Sequence, residues 1–415
     1  YFSAGYIAGW REDKPRTAPK VEKPVLPNIQ IDSTRASAFA DAVLEMPAPP
    51  LTPQYIEEGR DYTRKEDGRG ITYYHVHNPI NDVFKLTIQV ELGTLEAPEA
   101  DIAVRFLDRA GTEKYPAEAL QKEWYKLGAS FEVSTGNHMT TFNLTGLDEN
   151  FDASVALMMD LLWNASMDSA SLDALKGIIL QQREDARKDQ GAIASALVQY
   201  HRYGQESSYL RMIPSDALTA LSSETLQALV RRIISTRQAI GYTGGLSLGE
   251  VKRILTDRHP IRGLLDDPPL WKRNIVRAPE NDEIYLVNHP AAAQAHLQLE
   301  FGSIPYDPSL SAEVQLYNSY FADGMAGIVF QELREARALA YVAAARYTPG
   351  GRKGDQNIMM GLIQTQPDKC ADALTAFIDL LDNMPQSADR YAVAREALIN
   401  SYRTGKIGFR QIIDT

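Results

Sequence analysis

The stretch Phe84-Lys-Leu-Thr-Ile-Gln-Val-Glu-Leu92, closed by Gly93, alternates apolar and polar residues. About 210 residues later Ala295-His-Leu-Gln-Leu-Glu-Phe301, closed by Gly302, does the same. A period of two puts every apolar residue on one face of a strand. A second strand pattern precedes each copy, Ile71–His77 in the first and Glu283–Val287 in the second. Helical sequence follows each. Leu127–Val133 is then matched by Leu339–Ala345, and a strand Met139–Leu147 by Asn357–Thr365. Amphipathic helices ending Asp160-Leu-Leu162 and Asp379-Leu-Leu381 complete the parallel. One order of elements used twice is a duplication signal. The predicted fold is therefore α+β, in tandem duplicated domains, each a mostly antiparallel sheet with helices packed on one face.

Outward from this pair, residues 1–60 read as a connector: prolines recur, as in Lys23-Pro24-Val-Leu-Pro27 and Met46-Pro-Ala-Pro-Pro50, with one short helix through Ala36–Leu44. The first domain is expected over 61–270. It includes a long helical stretch over Ser171–Tyr203, a helix from Glu224 capped by Ser222 or Ser223, and a strand Ala239–Tyr242. Asp266-Asp-Pro-Pro269 marks the join. The second domain is expected over 275–415 and is shorter than its partner, so it reads as truncated at its C-terminus. The chain opens on Tyr1 rather than methionine and reads as a piece of a longer protein.

The 415 residues carry a net charge of −11, which argues against nucleic acid as the main partner, because phosphate binding needs a basic surface. No apolar run reaches the roughly 18 residues that span a bilayer. Cys370 is the single cysteine, which excludes an internal disulfide and any multi-cysteine zinc site. The compartment stays open between bacterial periplasm and cytoplasm.

The segment with chemistry in it is Phe330-Gln-Glu-Leu-Arg334-Glu-Ala-Arg-Ala-Leu-Ala-Tyr341. Arg334 and Tyr341 are seven residues apart, two turns if the segment is helical, so both side chains would face one way. A permanent cation beside a phenol can grip a carbonyl or a developing oxyanion. Taken alone, the same residues also read as a surface helix trading weak ion pairs among Glu332, Arg334, Glu335 and Arg337.

Phe330, Leu333, Arg334, Leu339 and Tyr341 resemble the F-x-x-L-R-x-x-x-x-L-x-Y segment of the pitrilysin and insulinase family of zinc metallopeptidases, and the resemblance extends over most of the chain. It implies half of a clamshell built like the mitochondrial processing peptidases. One half of such an enzyme carries the inverted motif H-x-x-E-H and a distant glutamate ligand. The other half is metal-free and supplies the Arg and Tyr. In this chain the motif's place reads Val104-Arg105-Phe-Leu-Asp108-Arg109. Both histidine positions are arginine, the base position is Asp108, and the third-ligand position falls near Gln182. Arginine stays protonated and has no lone pair to offer a metal. A guanidinium beside Asp108 is expected to make a plain ion pair instead.

The resemblance thus implies a C-terminal, non-metal half that closes over a peptide substrate. Arg334 and Tyr341 would hold the substrate and stabilise the oxyanion. Zn²⁺ would sit in an N-terminal zinc-bearing half of the same polypeptide, and the chain alone would hold no metal and be inactive. Two alternatives stay open: a separate non-catalytic subunit with a zinc-bearing partner, and a structural relative without peptidase activity.

Other candidates are weaker. His75 and His77 alternate on one strand and point the same way, but no third ligand lies nearby in sequence. His138, His201, His259, His289 and His296 are scattered. Gly324-Met-Ala-Gly327 lacks the lysine and the spacing of a phosphate loop. Ser130, Ser134 and Ser303 have no recognisable histidine partner.

Overall fold

In a computed structural model of the chain, residues 37–47, 52–270, 272, 275–277, 281–290, 292–322, 324–325, 327–351 and 353–414 are described. The chain divides into two units at Leu51/Thr52. Of the first unit, one helix is described, α1 (Ala38–Leu44), whose N-cap Ser37 side chain accepts the Ala40 N–H at 3.1 Å. Most of the expected connector lies outside the described residues.

The second unit opens with β1 (Thr63–Glu66), β2 (Ile71–His77) and β3 (Val83–Val90), followed by α2 (Ala100–Leu107), β4 (Gly111–Thr112) and α3 (Ala117–Lys126). Next come β5 (Ser130–Thr135), β6 (Thr140–Leu147), α4 (Phe151–Asn164), β7 (Ala165–Ser166), α5 (Ser169–Ala186), α6 (Gln190–Tyr203) and α7 (Ser215–Ala220). α8 (Ser223–Ser235), β8 (Gln238–Gly244) and α9 (Leu248–Arg258) complete this half. Six strands form one sheet in the order β1-β2-β8-β3-β6-β5, antiparallel except for the β2–β8 pair, while β4 and β7 make a small ribbon.

Alternation decides which face is buried. Phe84, Leu86, Ile88 and Val90 of β3 are sealed beneath the helices with Phe106, Phe151, Val155, Val230 and Val251. Phe84 and Tyr242 both meet Phe151 edge-on, at 4.9 and 5.2 Å between ring centroids.

The helix expected through Ser171–Tyr203 is two helices. Asp189 turns its side chain back to the Ala192 N–H at 2.7 Å and caps a new helix, so α5 ends at Ala186 and α6 starts at Gln190.

The second sheet holds β9 (Ala295–Pro305), β10 (Val342–Thr348) and β11 (Gln356–Thr365) in the antiparallel order β10-β11-β9. This is the arrangement of β5-β6-β3 in the first sheet, as the duplication requires. Its helices are α10 (Ser311–Tyr317), which runs into a π-helical turn Asn318–Ala322, then α11 (Ile328–Phe330), α12 (Cys370–Asp382) and α13 (Ala388–Thr404). They bury a separate core of Phe321, Ile328, Val329, Leu333, Ile363, Phe377 and Leu380.

Two strand expectations need correcting. β9 does not stop at Gly302 but continues to Pro305. Glu283–Val287 forms no strand. The first sheet shows why: its counterpart β2 pairs with β8 and never with β3. Among the described residues the second sheet has no counterpart of β8, so 283–287 has no ladder to join.

The two halves of this unit hold on to each other. Arg202, near the end of α6, donates from Nε to both Glu300 oxygens on β9, at 3.0 and 2.8 Å. The 3₁₀ turn Phe409–Asp414 crosses the other way and rests on β2 and β8.

Candidate functional site: a closed metal position and an arginine–tyrosine turn

α2 and α5 bring together two of the residues that the family resemblance places at the metal-motif positions. Arg105 Nη1 donates to Gln182 Oε1 at 2.6 Å. Arg105 Nε also pairs with Asp101, one turn back, at 3.2 Å. The ion pair expected with Asp108 is therefore made with Asp101 instead, because the i, i+4 spacing stacks those two side chains on one helix face. Asp108 lies past the last helical residue of α2, at the C-cap. Although exposed, its carboxyl is pushed above the ordinary value by partial desolvation, with Arg109 pulling it down and Glu132 adding to the rise. The set does not fit a zinc ion. Two guanidiniums put positive charge and donors where a cation needs lone pairs, and the Gln182 carboxamide oxygen already accepts from Arg105. Among the described residues no group of three His, Cys, Asp or Glu converges on a metal position.

The arginine–tyrosine segment is not one helix. Past α11 the chain widens into a π-helical turn, Gln331–Ala336, and ends with Ala338 at φ +48°. The Leu339 N–H closes the turn onto Leu333 O, 2.9 Å away and six residues earlier. That is one residue wider than the usual closing bond, as a π turn requires. Lys369 Nζ clamps the Ala338 carbonyl at 3.2 Å. Tyr341 then enters the second sheet, its N–H bonded to Gln364 O at 2.9 Å.

Two helical turns therefore do not align the pair; Arg334 and Tyr341 meet because the chain reverses at Ala338. The Arg334 guanidinium lies over the Phe330 ring at 4.8 Å and over the Tyr341 ring at 5.5 Å. Cation–π contact with two rings holds the guanidinium near both of them. Its ion pair with Glu335, from Nε at 3.6 Å, is long and exposed. Tyr341 is 69% exposed. A rigid guanidinium and a phenol, both presented to solvent, form a ready hydrogen-bonding pair for a carbonyl oxygen.

The histidines stay apart from this chemistry. His75 Nε2 is engaged by the Leu246 carbonyl at 2.8 Å and its ring stacks on Tyr242, so it is not poised to share a metal with His77. His289 Nε2 meets Lys188 O at 3.1 Å. Gly324, φ +66°, marks a turn. Sequence reading missed the contribution of Phe330 as the second aromatic wall, although the residue was in view.

The chain is similar to known proteins in sequence and in fold. Residues 75–209 match the family described as "Insulinase (Peptidase family M16)", and residues 220–398 match "Peptidase M16 inactive domain". An uncharacterized zinc protease of Streptomyces coelicolor is 22% identical over 302 residues, 70% of this chain and 64% of its own length. The chain thus spans less than two thirds of that relative. Among solved structures, the peptidase M16 inactive domain of Pseudomonas fluorescens superposes with TM-score 0.67 at 19% identity, over 85% of this chain and 86% of its own. The periplasmic protease PqqL of Escherichia coli gives TM-score 0.69 at 12% identity, covering 95% of this chain and 43% of its own.

Proposed function

Because this chain belongs to peptidase family M16, the insulinase family, we propose that it is the metal-free half of a zinc peptidase, grips the peptide substrate and completes the active site. The observation that carries this reading is the Arg334–Tyr341 pair, stacked and solvent-facing, in a chain whose own metal positions are closed by Arg105 and Gln182. Arg334 would hold the substrate backbone, and the Tyr341 hydroxyl would donate to the carbonyl oxygen as negative charge develops on it. Zinc belongs to a different half, since the residues at this chain's metal positions cannot hold it. The length relation to PqqL, 95% of this chain against 43% of that one, favours two halves in a single polypeptide. The Pseudomonas chain, matched over 86% of its length, favours the second reading, a separate non-catalytic subunit with a zinc-bearing partner.

The test is kinetic, in the full-length protein or in the complex with the zinc-bearing partner. Arg334→Ala and Tyr341→Phe are each expected to lower kcat by about 10² to 10³, with zinc content unchanged. Unchanged kcat in both variants would overturn the assignment.

A further inference from the structure

The open face of the first sheet, turned away from the helices, carries a depression floored by Gly241. On β8, Gly241 lies in register between Tyr74 of β2 and Thr87 of β3, so a position without a side chain stands between two that have them. With Ile56, Tyr62 and Gln89 these residues enclose about 450 Å³. A glycine inside a strand weakens it, and commonly marks a place where another group approaches the backbone closely. Here the approaching group is the turn Phe409–Asp414, whose Ile412 and Ile413 line the same cavity. A Cβ at position 241 would lie 2.5 Å from Ile413 Cγ2, and its next nearest neighbours would also be Ile413 atoms. The missing side chain therefore makes room for Ile413, and the open volume of the depression lies beside it.

Around this seat the walls suit a peptide. The Tyr62 and Tyr74 rings, 6.3 Å apart and tilted, offer apolar surface. Gln89 brings a polar group to the wall, while the buried Thr87 hydroxyl beside the floor already donates to Asn143 Oδ1 at 3.0 Å. Arg410 Nη2 donates to Asn81 Oδ1 at 3.1 Å and steadies the turn at the edge of the sheet.

We propose that this depression is a peptide-binding subsite that takes a β-branched aliphatic side chain, and that Ile413 occupies it as an intramolecular stand-in for such a peptide. The proposal rests on the peptide-gripping role argued above, because that role brings peptides to this half of the molecule. It is read out by binding alone, so it stands or falls separately from the kinetics of Arg334 and Tyr341. A tethered occupant has the advantage of a high effective concentration over a free peptide. The site should accordingly open only when the tether is weakened.

The experiment uses the whole chain and a fluorescein-labelled hexapeptide, Phe-Arg-Gln-Ile-Ile-Asp with blocked ends, followed by anisotropy. In the chain carrying Ile412→Ser and Ile413→Ser, the probe is expected to bind at least tenfold more tightly than to the unsubstituted chain. Adding Gly241→Val fills the floor and should abolish that binding, while a probe with serines for both isoleucines should not bind at all. Valine suits a strand, and its Cβ meets nothing closer than the side chain already removed, so folding should survive. Thermal unfolding checks this, and Gly241→Ala offers a milder version. In the otherwise unsubstituted chain, Gly241→Val should speed amide exchange in 409–414 and leave β3 and β8 protected. A released chain that binds no probe, or binding that persists with Gly241→Val, would reduce the contact to a packing seam and overturn the proposal.

Discussion

Arg105 and Gln182 are joined by a 2.6 Å hydrogen bond between α2 and α5, 77 positions apart in sequence. In the resemblance to the insulinase family these are the places of a first and a third metal ligand. The contact shows that α2 and α5 bring these two side chains within reach of one another. Restoring the donors should therefore restore affinity. Arg105→His, Asp108→Glu, Arg109→His and Gln182→Glu together are expected to bind about one Zn²⁺ per chain, measured by metal analysis after dialysis. The unsubstituted chain should retain none. A metal-free quadruple variant would mean that the end of α2, which leaves the helix at Leu107, has drifted from ligand geometry.

Arg202 and Glu300 supply the second prediction. Glu300 is 5% exposed and its carboxylate takes both bonds from a guanidinium belonging to the other half of the unit. Arg202→Met would leave that carboxylate without its charged donor, with Gln298 Nε2 at 2.8 Å as a neutral substitute. The expected cost is about 2–3 kcal/mol. Glu300→Gln in the same chain should recover part of it, because the unpaired charge is gone. Urea unfolding of the two singles and the double measures the coupling; strictly additive losses would show that the pair does not act as a unit.

How much of this could be read from sequence depends on which force decided each element. β2 and β3 were legible because alternation alone fixes a half-buried strand, and Ser222 announced α8 by its capping chemistry. The strand expected at 283–287 was not, because strand formation needs a partner and no local pattern reports one. The break at Asp189 was hidden in a helical background that a single side-chain bond interrupts. At the site, the family resemblance picked out Arg105 and Gln182 by their positions, but no pattern in the sequence reports that their side chains meet. The turn at Ala338 was illegible for a physical reason: alanine is a strong helix former and carries no stop signal. Gly241 did carry a signal, a lone glycine in a strand, but which residue approaches it is tertiary information.

Ala338 gives the third prediction. Its φ of +48° is a conformation that a β-carbon resists, whereas Gly128, at the corresponding end of α3, adopts φ +58° without that penalty. Ala338→Gly should relieve the strain and raise stability by about 0.5–1 kcal/mol after the entropy lost by glycine is counted. Thermal unfolding reads the change. A loss of stability would place the strain elsewhere in the π-helical turn that carries Arg334.

The last prediction concerns pH. His259 closes α9, is 3% exposed, and accepts the Ile261 N–H at Nδ1, 3.1 Å away. Burial first, then Arg69 and Arg262, depress its pKa, against backbone bonds with Ile261 and Ile234. A base depressed in the folded state binds its proton more readily when unfolded. Below the unfolded value of about 6.5 the unfolded chain therefore holds more protons, and stability falls as pH drops towards the folded pKa. One such group contributes a slope of at most about 1.4 kcal/mol per pH unit. His259→Gln keeps a polar side chain but does not titrate. Its urea midpoint should consequently change less between pH 7.5 and 5.5 than that of the unsubstituted chain, even if the variant is weaker at the upper end. Parallel pH profiles for the two proteins would assign the acid sensitivity to other groups.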